Sequence, residues 1–238
     1  MKSLSQSLIS TIVGYQARLT GRVNLLVALL ISILLPVVMF LPDDPDKQFR
    51  VFWVLTIVEQ FTPLLGVAVC SDIFATEWEK QTADMWLTKS YPRTQVMFSR
   101  FSVAATLTLF SILLISGQFY LTYVHFNWVE MLVVTIPGAI FLGTIGMLTG
   151  IVFKNSAVAY IIPLAYWAFE MSTKGKYTGM LYLFMRTSVP CQSAEETCMA
   201  TAQSGPWLAS KLLILVLIAT LILINAYILE RTGRKWGN

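Results

Sequence analysis

Six runs of mostly apolar residues divide the chain, at 23–41, 51–71, 101–123, 129–153, 156–173 and 207–229. A helix that crosses a bilayer needs about 20 such residues, because hydrocarbon offers its backbone no hydrogen-bond partner outside the helix. Each run is therefore read as a membrane span. The second is interrupted by Glu59 and Gln60 and the fifth is short, so their ends are loose by several residues. No stretch alternates polar and apolar positions as a strand of an outer-membrane barrel does. No small-residue cleavage site follows an early apolar core, so the N-terminus does not read as a signal peptide.

Three segments between the runs carry patterns of their own. In residues 1–21, Leu4, Leu8, Ile12, Tyr15 and Leu19 fall on one helical face, as in a helix lying in the headgroup plane. The alternative is an extension of the first span, interrupted at Gly21. Residues 73–91 place Phe74, Trp78 and Met85 on one helical face with Glu77, Glu79, Lys80 and Asp84 off it, until Pro92 stops the helix. Between the fifth and sixth runs, residues 172–206 form a long insertion. Its apolar stretch 177–184 predicts a short helix on or in the membrane surface. Cys191 and Cys198 follow in CQSAEETC, a spacing open to a small disulfide loop or to two free thiols. A zinc site lacks the His or further Cys it would need.

Composition removes the soluble alternatives. Hydrophobic residues make up 56% of the 238 and charged ones 13%, against about 25% charged in an ordinary soluble domain. The few charges set an orientation, because basic residues gather on the cytoplasmic side. Eleven fall on one side: Lys2, Arg18, Arg22, Lys80, Lys89, Arg93, Arg100, Lys154, Arg231, Arg234 and Lys235. The opposite side receives six, Lys47, Arg50, Lys174, Lys176, Arg186 and Lys211. Both termini are thus expected in the cytoplasm of a multi-pass protein of the cell membrane. The net charge of +4 reflects this bias and contact with anionic membrane lipid. It gives no reason to invoke nucleic acid.

Charge inside the spans is the candidate chemistry. Glu59 lies near the middle of its run, where an ionised group costs several kcal/mol unless paired, hydrated or neutralised. With Gln60 beside it, it reads either as part of a hydrated substrate path or as a neutral acid bonded to a neighbouring span, for example at Gln118. Glu170, at the end of the fifth run, reads as an interfacial anchor within reach of water. Gly138, Gly143, Gly146 and Gly150 include a GxxxG pair, read as close packing within the chain. Pro137 and Pro163 permit kinks. Cys70 reads as a small packing residue. His125, beside Trp128, reads as an interface residue. Motifs for metalloproteases, serine hydrolases and ATP-binding loops are all missing, so the chain is expected to be neither an enzyme nor an ATPase. No metal site is expected.

The layout resembles the membrane subunits of type-2 ATP-binding-cassette exporters. In sequence the resemblance concentrates in residues 73–100, at Phe74, Glu77, Glu79, Thr82, Pro92 and Arg93, an acidic pair and a Thr followed by a proline break. The turn Met85-Trp86-Leu87 and the break Tyr91-Pro92 depart from the family's usual residues. The resemblance implies an all-α integral membrane fold: one permease domain over 1–238, with an interfacial helix at 1–21 and spans 1–5 within 22–171. A coupling helix at 73–91, an external re-entrant insertion at 172–206, span 6 at 207–229 and a cytoplasmic tail at 230–238 complete it. Phe74, Glu77, Trp78, Glu79 and Met85 would dock onto a cytoplasmic ATPase subunit, and the insertion would gate the outer exit, stiffened by the cysteine pair. No cofactor would be bound by this chain; ATP and Mg would belong to the partner. A chain of this length would be a half-permease needing a second, identical or related half. The substrate class implied is an amphipathic or peptide-like molecule such as an antimicrobial peptide. A secondary transporter or channel using Glu59 is the alternative.

Overall fold

The computed structural model describes residues 30, 47–79, 93–122, 125–184 and 204–234, and among these every regular element is helical. The elements are α1 (Lys47–Cys70), α2 (Asp72–Glu79), α3 (Arg93–Thr122), α4 (Trp128–Phe153), α5 (Ser156–Thr173), a single 3-10 turn (Gly179–Leu181) and α6 (Ser204–Arg234). Among the described residues four stretches are long and apolar enough to cross a membrane: Trp53–Glu79, Arg93–Leu121, Trp128–Phe153 and Trp207–Arg231. The chain thus has a helical, membrane-spanning character. The expected fifth span is a helix with the expected limits, but Pro163, Tyr160, Tyr166, Trp167 and Glu170 dilute its apolar run and it is not among the four. The first span, the interfacial helix, Met85, Cys191 and Cys198 lie outside the described residues.

α4 is the central helix and packs on α1, α2, α3, α5 and α6. Its glycines explain how. A Cβ on Gly143 would stand 2.8 Å from Cys70 Sγ, one on Gly146 would strike Ser71 Oγ, and one on Gly150 would lie 3.2 Å from Ala75 Cβ. From the other side, a Cβ on Gly66 would strike the Ala139 carbonyl. Small residues on both helices let the backbones close to contact, which is how helices associate when lipid removes the hydrophobic drive. The glycine face is therefore used inside the chain, and Cys70 fills the seam it was expected to fill.

α1 and α2 form a nearly continuous helix, interrupted at Ser71, whose N–H still reaches the Val67 carbonyl at 3.1 Å. Residues 72–79 extend the second apolar run and lie along α4 and α5. The outward faces of α3 and α6 carry Phe98, Phe110, Leu121, Leu212, Val216 and Leu223, all exposed. In a bilayer these face lipid tails. Asn225 is buried on the inner side of α6 and donates to the Thr144 carbonyl at 3.4 Å, tying α6 to α4.

Candidate functional site

Two polar clusters sit at the two ends of this bundle. The first surrounds α2. Glu77 is buried and meets Arg100 of α3 through two parallel bonds, Nη1 to Oε2 at 2.6 Å and Nη2 to Oε1 at 2.9 Å. The same guanidinium donates to the Ile73 carbonyl at 3.1 Å and lies 5.1 Å from the Phe74 ring centre. Arg is suited to this task because its planar fork fits a carboxylate in one orientation. Glu79 reaches in the other direction. It accepts from the Ser156 amide at 2.7 Å and from the Ser156 hydroxyl, at the first residue of α5. A carboxylate there satisfies an orphan N–H and meets the positive end of the helix dipole. Asn155 caps the same helix by accepting from Val158 N at 3.1 Å. Lys154, whose left-handed backbone (φ 55°) ends α4, places its ammonium 4.4 Å from the Trp78 ring centre.

These placements show what four of the expected docking residues touch within the chain. Phe74 is 1% exposed and Glu77 is 9% exposed, so both are committed to holding α2 against α3. Periodicity placed Phe74 on an apolar face but could not say that the face is covered by the chain's own helices. Trp78 is partly buried under Lys154, and Glu79 is exposed but engaged with α5. Arg93 lies at the same end and donates to the Glu230 carbonyl at 3.4 Å, near the end of α6. α2 is thus joined to α3 and α5, with α6 held at the same end through Arg93.

The second cluster lies within the bundle toward the other end. Glu59 of α1 and Lys211 of α6 form an ion pair at 2.8 Å, each 1% exposed. Sequence reasoning did not pair these two residues: it offered Gln118 as an example of a partner for Glu59 and counted Lys211 among the basic residues of the opposite side. A lone Lys a few residues into the last apolar run, facing a lone Glu in another, was the signal that could have found the pair. Removing Lys211 from the tally leaves five basic residues on that side against eleven. Gln118 is half-buried on α3. Gln60 is half-buried, and its backbone carbonyl accepts from Trp167 Nε1 at 2.7 Å. Pro63, inside α1, has no N–H to give the neighbouring Glu59 carbonyl.

The chain after α5 folds back onto this pair. Lys174 (φ 49°) ends the helix, and Gly175 (φ 75°) turns the chain where any Cβ would strike Tyr182. The stretch expected to be a short helix is one 3-10 turn, leaving Tyr177 and Met180 exposed. Tyr182, Leu183 and Phe184 then plunge inward against α4 and α6. The Lys211 ammonium donates to the Leu183 carbonyl at 2.6 Å, and the Ser210 hydroxyl to the Tyr182 carbonyl at 3.3 Å. Glu170, expected within reach of water, is 0% exposed beneath this hairpin; its Oε2 accepts from the Thr178 hydroxyl at 3.2 Å. At the same end Tyr120, His125, Phe126 and Trp128 form a packed aromatic group, with the Tyr120 and His125 rings 4.6 Å apart and His125 exposed. Aromatic side chains gather where a membrane surface meets water. No known family model, curated protein or solved structure matches the chain.

Proposed function

We propose that this chain is the membrane-spanning half-permease of a type-2 ATP-binding-cassette exporter, moving an amphipathic or peptide-like substrate by alternating access. ATP hydrolysis belongs to a separate cytoplasmic subunit that supplies ATP and Mg, and a second permease half, identical or related, completes the pathway. In this reading the six apolar runs are six spans with both termini cytoplasmic. The observation that carries it is the clamp around α2: a helix extending past a membrane-length helix, held to α3 by Glu77–Arg100 and to α5 by Glu79–Ser156. A partner pushing on residues 80–92, which follow α2 directly, would move several membrane helices together. Phe74 and Glu77 then transmit force from inside the clamp, while Trp78 and Glu79 lie at the end of α2 that leads to residues 80–92.

The test is purification of the full chain from its own cells in mild detergent. The expected companion is a subunit with an ATP-binding loop whose hydrolysis rises when the permease is present in lipid. If the chain alone, reconstituted in vesicles, carries solute down a proton gradient without nucleotide, the alternative of a coupled secondary transporter or channel replaces this reading. In that alternative Glu59 would have to leave Lys211 during each cycle.

A further inference from the structure

The buried cluster beneath the hairpin holds an unequal number of charges. Glu59 and Lys211 neutralise each other, and Lys211 also donates to the Leu183 carbonyl. Glu170 is a second carboxylate, fully buried, and its Oε1 has no hydrogen-bond partner. The carboxylate is hydrogen-bonded by the Thr178 hydroxyl, the Tyr166 hydroxyl on its own helix and the Leu183 amide of the hairpin, which partly offset its burial. Tyr182 lies within electrostatic reach of both carboxylates. Other titratable groups on the elements packed here are Glu130 in the first turn of α4 and the exposed Lys174, Lys176 and Tyr177 on the hairpin. A buried carboxylate with a bare oxygen and no cation of its own is strongly disfavoured.

We propose that the Glu59–Lys211–Glu170 cluster binds one proton, carried on Glu170, and that this proton holds residues 174–184 closed over the bundle. With Glu170 neutral the cluster carries no net charge, and the Tyr166 hydroxyl can accept from the acid. Loss of the proton leaves two buried carboxylates for one ammonium, and opening of the hairpin admits the water that the second carboxylate needs. The sign follows: the closed state binds the extra proton, so closure weakens as pH rises. Nothing in this depends on an ATPase partner.

Infrared difference spectra of the full chain in lipid vesicles test the proton directly. At neutral pH the wild type should show the carbonyl band of a neutral carboxylic acid, and Glu170→Gln should lose it. Glu59→Gln should lose it too, because one ammonium then balances one carboxylate. Amide hydrogen exchange over 174–184 tests the latch. In alkaline buffer the wild-type hairpin should open up to about tenfold more per pH unit, relative to Glu170→Gln, whose amide mimics the neutral acid. Absence of the band in the wild type, or its survival in Glu170→Gln, overturns the proton site; equal hairpin exchange in both proteins at every pH overturns the latch.

Discussion

At the scale of single residues, the interior is organised by a few polar side chains that must find partners. Lys211 and Glu59 sit on helices far apart in sequence, and each would be costly alone in an apolar interior. Lys211→Met strands the Glu59 carboxylate and is expected to cost about 3–5 kcal/mol. Adding Glu59→Gln to that variant should restore most of the loss, read from unfolding in mixed micelles. Arg100 offers a second case. Arg100→Lys keeps the charge but cannot make both bonds to Glu77 or cover Phe74 as a plane does. It should lower thermal stability measurably, while the exchange Glu77→Arg with Arg100→Glu recovers part of what either single reversal loses.

Among elements, backbone approach decides the packing. Gly66 faces the Ala139 carbonyl with no room for a methyl group, whereas the atom nearest a Cβ on Gly117 is 4.0 Å away, on Trp128. Gly66→Val should therefore destabilise by about 1–3 kcal/mol or more, the usual cost of overpacking. Gly117→Ala should be neutral or slightly stabilising, and a pair of melting curves in detergent separates the two. The α2–α5 junction makes a milder prediction. Glu79→Ala removes a cap supplied across two elements and should cost about 1 kcal/mol. Reversal of Glu77 instead attacks a buried pair, so it should appear as lost folded protein rather than as uncoupling. Comparing yield with ATPase stimulation for the two positions separately distinguishes the clamp from the contact surface.

For the whole molecule, a central small-residue helix and two polar clusters at opposite ends give an arrangement in which movement at one end has a rigid route to the other. α4 touches every other long helix described, so α2 and the 174–184 hairpin both rest on a shared core. The orientation assigned to the chain predicts that a protease added outside intact cells spares a C-terminal tag and cleaves near the exposed Tyr177 and Met180. The opposite pattern would invert the topology and move α2 away from any cytoplasmic partner.

The linear order of residues was enough to determine the helical membrane character, the helices over five of the apolar runs, four of them long and apolar enough to span, the close-packing role of the α4 glycines and the presence of a costly charge at position 59. These follow from local quantities: run length, helical period, side-chain size and charge against an apolar background. Tertiary structure alone decided what those features meet. Phe74 and Glu77 looked like a surface because an amphipathic face has the same period whether a partner or the chain's own helices cover it. Glu59 could be paired only when α6 was brought beside α1, 152 positions away in sequence. Glu170 became buried only because two left-handed turns send the chain back over it. Pairing and burial depend on distances between segments, and the period of a single segment carries no information about them.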